Sequence, residues 1–260
     1  MSASNKITYK SWLDTRWRFI AGLAVLVCSS SAIVLVYPQV VQLLPVAAKV
    51  QATGTVGDEI RRHVELSSTF RGYEWSQWNQ QNLIQLGTLF AVLLGAGGVL
   101  SHGAGGGAFY TLALPVSRRR LIVTRAATGL LELLALMLLS SLVGPAMAPA
   151  IGESASLPDA LAYALCGFIG GSVFFSLTLF LATVFSDVWR PLLIAVASAS
   201  LIGFGELLLR NQLSFGFFRT MSAETYFRTG GLPWPGLLVC AASSAAMIYA
   251  AVLNLERRDF

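Results

Sequence analysis

The chain has 260 residues, of which 55% are hydrophobic and only 12% charged, with a net charge of +5; its mean hydropathy is +0.66. A soluble domain carries about 25% charged residues, so there is too little charge here to coat a water-facing surface. The apolar residues also come in long blocks, which argues against a soluble enzyme and for one membrane domain over residues 1–260 with short connections.

In chain order, residues 1–18 mix Lys6, Lys10, Arg16 and Arg18 with Tyr9, Trp12, Leu13 and Trp17. Trp12 and Arg16 are four apart, and Tyr9, Trp12 and Leu13 share a helical face. This predicts an amphipathic helix lying at the headgroup level, with Trp12, Arg16 and Trp17 as its interfacial residues. The first apolar block, residues 19–37, is closed by Pro38. It reads as a retained membrane span and not as a cleaved signal peptide. A polar stretch of about forty residues follows, within which residues 58–70 suit a short surface helix. Trp75 and Trp78 come just before the next span, where aromatic belts occur.

Further spans are expected at residues 83–100, 121–143, 160–185, 192–209 and 236–253, giving six transmembrane helices in an all-α protein. Between the second and third lie a glycine-rich run, residues 101–108, and the basic stretch Arg118, Arg119 and Arg120, with Arg125 following in the first turns of the third. Small residues recur every fourth position in three spans: Gly87, Ala91 and Gly95; Gly167 and Gly171; Ala195, Ala199 and Gly203. Such spacing lets helix backbones approach closely in lipid.

With six spans both termini share a side. That side holds eleven of the 18 Lys and Arg residues in short segments, against seven in longer, acid-matched loops opposite. The expected orientation therefore places both termini in the cytoplasm, in the inner (cytoplasmic) membrane. The basic residues cluster beside apolar spans, which fits lipid headgroups better than nucleic acid.

Chemistry-bearing patterns are sparse. Gly103–Ala108 superficially fits a dinucleotide fingerprint but lacks a βαβ setting, and no G-x-x-x-x-G-K-[ST] occurs. Cys28, Cys166 and Cys240 lie inside apolar stretches and read as apolar filler. His63 and His102 fall on opposite sides of the membrane, so no metal site and no catalytic set is expected. Two carboxylates stand out. Glu132 falls near the middle of the third span, seven residues after Arg125, where a charge costs roughly 2.5–3.5 kcal/mol by insertion scales. It marks either a substrate or ion path or a structural polar contact. Glu206, at the end of the fifth span, can pair with Arg210 four residues on.

The stretch from Phe109 and Tyr110 through Leu112, Leu114, Pro115, Val116, Ser117, Arg118, Arg119 and Arg120 resembles the connection between spans two and three of ABC-2-type transporter permeases, which typically read L-x-x-P-[VI]-S-R there. The ending Arg257-Arg258-Asp259-Phe260 is similar to the basic tail of the same family. The layout matches too, although many relatives carry an acidic residue and a Gly-Thr pair where this chain has residues 101–110. The resemblance implies a transport subunit without its own nucleotide site. It would pair with a second permease chain, identical or homologous, and be driven by soluble ATPase subunits that hold ATP and Mg. Residues 103–120 would form the coupling helix, spans one, two and five would line the path, and a re-entrant element would lie between spans five and six. Export of an amphipathic, lipid-like, drug or peptide substrate is the expected activity. The alternatives are an ion-coupled carrier using Glu132 and a membrane assembly protein that transports nothing.

Overall fold

The structure, a computed structural model, describes residues 3–47, 54–97, 118–185, 187–209 and 215–257, and no strand occurs among them. The expected coupling stretch Phe109–Ser117, Arg210 and Asp259–Phe260 lie outside the described residues. The helices are α1 (Ala3–Ala47), α2 (Gly54–Ser67), α3 (Phe70–Glu74), a π-helical segment (Trp75–Gly87), α4 (Thr88–Gly95), α5 (Arg118–Ser141), α6 (Val143–Met147), α7 (Leu157–Val184), α8 (Trp189–Leu208), α9 (Phe217–Met221), α10 (Glu224–Thr229) and α11 (Trp234–Glu256). Five stretches are long and apolar enough to cross a membrane: Ser11–Leu44, Arg119–Ile151, Leu157–Val184, Trp189–Leu208 and Trp234–Glu256. The chain is a multi-pass membrane protein.

Several boundaries follow from local chemistry. The Ser156 hydroxyl accepts from the Asp159 amide at 3.4 Å at the start of α7, with Pro158 in the first turn and the Asp159 carboxylate beside the free amides. The Thr69 hydroxyl caps α3 by accepting from the Gly72 amide at 3.2 Å. Between α9 and α10 the buried Ala223 adopts a left-handed backbone at φ 55°. An L-residue there costs about 1–2 kcal/mol, so the turn depends on the packing of Trp75, Tyr163 and Leu237 around it.

Three expectations need correction. Pro38 does not close the first span: α1 runs unbroken from Ala3 to Ala47, and residues 3–18 are its first turns, not a separate interfacial helix. Proline removes one amide and tends to kink a helix, but the apolar register on both sides carries α1 through. Trp75 and Trp78 do not form an outward aromatic belt. They are 2% and 1% exposed, because the helical stretch of the second apolar block begins at Phe70, ahead of the polar run through Asn82. The surface helix expected at 58–70 is α2, over Gly54–Ser67.

α7 is the central helix, packed against α4, α5, α8, α9 and α11. The Gly87–Ala91–Gly95 spacing finds its partner here: a side chain at Gly95 would meet the Phe175 carbonyl oxygen. Gly170, outside the spaced positions, is the α7 glycine on which a side chain would meet the Met221 backbone. Phe218 of α9 stacks on Phe174 at 5.0 Å, near the middle of α7, so the connection between α8 and α11 reaches well down the bundle. Hydroxyls join the helices: Ser176 and Ser244 lie 2.6 Å apart, and Asn254 donates to the Thr183 carbonyl at 2.9 Å. In contrast, only 22% of the α1 window and 17% of the α8 window are buried, against 67% for α7. α1 and α8 thus show most of their apolar surface outside the chain.

Candidate functional site

At the end of the bundle where α1 and α5 begin, a polar cluster is sealed inside the helices. Ser11 and Thr15 are four apart, so they share one face of α1; both are buried. Trp12 and Trp17 of the same turns are exposed, with the Arg16 guanidinium 5.5 Å from the Trp17 ring.

The Thr15 hydroxyl donates to Glu132 Oε1 at 2.7 Å. Arg125 Nη1 donates to the Ser11 carbonyl at 2.9 Å and to its hydroxyl at 3.3 Å. Arg18 Nη1 donates to the Leu93 carbonyl at 2.9 Å, one of the carbonyls left open where α4 ends. Gly97 lies against both arginines, and any side chain there would collide with the Arg125 guanidinium. Arg125 and Glu132 are each 5% exposed. They form no ion pair with each other, and Arg125 Nη2 and Glu132 Oε2 have no hydrogen-bond partner among the described residues. Glu132 sits fourteen residues into α5, about 20 Å from its start. Two charges this deep, each half satisfied, are costly to hold. The chemistry available is charge compensation, proton uptake on the free carboxylate oxygen, and a mechanical link among α1, α4 and α5.

A second polar group lies at the opposite end. Arg71 Nε pairs with Asp159 Oδ2 at 2.9 Å, and the Tyr226 hydroxyl donates to Asp159 Oδ1 at 3.0 Å. Trp75 Nε1 donates to the Ser222 carbonyl at 2.9 Å and its ring stacks on Phe227 at 4.2 Å. Arg71 covers the other ring contact, 5.5 Å from Phe227. Together these fasten the α9–α10 connection to α3 and α7. The Glu74 carboxylate lies in the same region, against Gly144.

The expected intramembrane residues are thus placed apart. Glu132 is in the first cluster. Glu206 instead holds α9: its carboxylate accepts from the Phe218 amide at 3.2 Å and the Arg219 amide at 3.3 Å. Arg119 and Arg120 begin α5 with exposed side chains. The sequence reading missed Ser11, Thr15 and Arg18 as partners. Their spacing by four and three along one face was the available signal. It also missed Asp159 and Tyr163, which carry no motif. Among the described residues no group of His, Cys, Asp and Glu could hold a metal ion. Comparison with family profiles, curated proteins and solved structures finds no match to this chain.

Proposed function

We propose that this chain is the permease subunit of an ATP-binding-cassette exporter of the ABC-2 type. In this reading it crosses the cytoplasmic membrane six times, with both termini in the cytoplasm. The sixth crossing is the helical stretch from Phe70 to Gly95, whose 26 residues exceed the roughly 20 that a crossing needs. The α9 segment is then the re-entrant element between the last two spans.

The observation that carries the reading is the run Leu112, Pro115, Val116, Ser117 and Arg118 between α4 and α5. Its setting supports a coupling role. The helix ends that flank it, Leu93–Gly97 and Arg118–Arg125, are both tied to the start of α1, by Arg18 and Arg125. A push on the intervening segment from a cytoplasmic ATPase would reach three helices at once. The apolar outward faces of α1 and α8 leave room for a second permease along them, with an amphipathic cargo passing between the two. ATP and Mg would be held by the partner ATPase.

One observation favours the carrier reading instead: Glu132 Oε2 is buried without a partner, as a proton-accepting carboxylate would be. The two readings separate in one experiment. Reversing Arg118, Arg119 and Arg120 to Glu should release a co-purifying soluble ATPase while the chain stays in the membrane. Transport that persists without any ATPase, and stops when an ion gradient is dissipated, would establish the carrier and overturn the exporter.

A further inference from the structure

Between α3, α6 and α7, at the end of the bundle opposite α1's first turns, lies a pocket of about 250 Å³, lined by Phe70, Arg71, Glu74, Asp159 and Tyr163 among others. Its charges do not balance. The lining carries two carboxylates and one guanidinium, and Arg71 is already committed to Asp159 at 2.9 Å. Asp159 is further satisfied by the Tyr226 hydroxyl. Among the described residues Glu74 has no ion pair. Tyr163 is only 5% exposed, and its hydroxyl lies beside the Arg71 guanidinium without a well-aligned hydrogen bond among the described residues, Arg71 being paired with Asp159. A buried hydroxyl without a partner gives up about 1–3 kcal/mol, which a bound group could recover.

The missing partner must bring one positive charge and N–H donors. A divalent cation is a poor fit, because only one carboxylate is unpaired and hard cations need six or more oxygen ligands. A trimethylated ammonium brings charge but no donor for Glu74 and Tyr163. A primary ammonium supplies three donors, and the Phe70 ring adds an aromatic wall suited to a cation.

We propose that this pocket binds a primary ammonium group, with Glu74 as its counter-ion and the Tyr163 hydroxyl as a second acceptor. The ammonium comes either from a lipid headgroup at the membrane surface or from a free amine in solution. The proposal does not depend on an ATPase partner.

The test uses the full chain in lipid-free detergent, with thermal stability read against three probes: phosphatidylethanolamine, phosphatidylcholine and ethylamine. The expected result is a saturable rise in melting temperature with phosphatidylethanolamine, with ethylamine or with both, and none with phosphatidylcholine. A response to the lipid alone assigns a headgroup, and a response to ethylamine assigns a free amine. Glu74→Gln should weaken binding at least tenfold, as expected for a lost charge-assisted bond. Tyr163→Phe, which keeps the ring and removes the hydroxyl, should weaken it about threefold or more. Equal responses to the ethanolamine and choline lipids, no response to any amine, or unchanged binding in folded Glu74→Gln and Tyr163→Phe proteins would overturn the proposal.

Discussion

Gly95→Ala isolates the helix packing on which the bundle rests. An added Cβ would lie 2.5 Å from the Phe175 carbonyl oxygen, 2.9 Å from Thr178 Cβ and 3.3 Å from the Leu179 amide nitrogen. Two of these three atoms are α7 backbone, so no rotamer change relieves them. Ordinary contact begins near 3.4 Å, so α4 and α7 must part by about 0.9 Å. Overpacking of this kind costs about 1–3 kcal/mol, partly offset by the roughly 0.5–1 kcal/mol that Ala gains over Gly in a helix. The control is Gly171→Ala, whose Cβ would lie 3.7 Å from Leu133 and Met137 side-chain carbons, in ordinary contact. That variant keeps the propensity gain without the collision. At about 2–4 °C per kcal/mol for chains of this size, the two should melt about 5 °C apart in detergent, with Gly95→Ala the lower. Equal melting of the two variants, or Gly95→Ala at or above the parent, would refute the packing argument.

Other outcomes follow from the polar groups. Arg125→Leu removes the buried donor to the Ser11 carbonyl and should lower stability by about 1.5–3 kcal/mol in the same melting assay. Ser176→Ala and Ser244→Ala, combined in a double-mutant cycle, should show a coupling of about 0.6 kcal/mol, the average for hydrogen bonds between membrane helices. Trp75→Phe keeps the ring against Phe227 but deletes the donor to the Ser222 carbonyl. Limited proteolysis should then cut faster within residues 215–233.

The apolar blocks announced the membrane character and most helix positions, because a lipid-crossing helix must be apolar over its whole length. The Gly87–Ala91–Gly95 spacing also pointed to a real contact, since Gly95 sits against the α7 backbone, whereas Gly167 and Gly171 meet only side chains. The helix beginning at Phe70 was hidden by Asn79, Gln80, Gln81 and Asn82, which are as polar as a loop. They are tolerated in the bundle, and Asn79 is 1% exposed. Glu132 could be singled out from its position alone, whereas its partner Thr15 lies 117 residues away. Asp159 and Tyr163 join Arg71 and Glu74 only because α7 folds back beside α3. No linear spacing encodes that meeting.

The subunit content of the assembly tests the exporter reading most directly. The tagged full chain, extracted from its own membrane in mild detergent, can be weighed intact by native mass spectrometry. The proposal expects two permease chains with two nucleotide-binding chains, and a complex that hydrolyses ATP. A chain that is found alone, or with partners that bind no nucleotide, would contradict it.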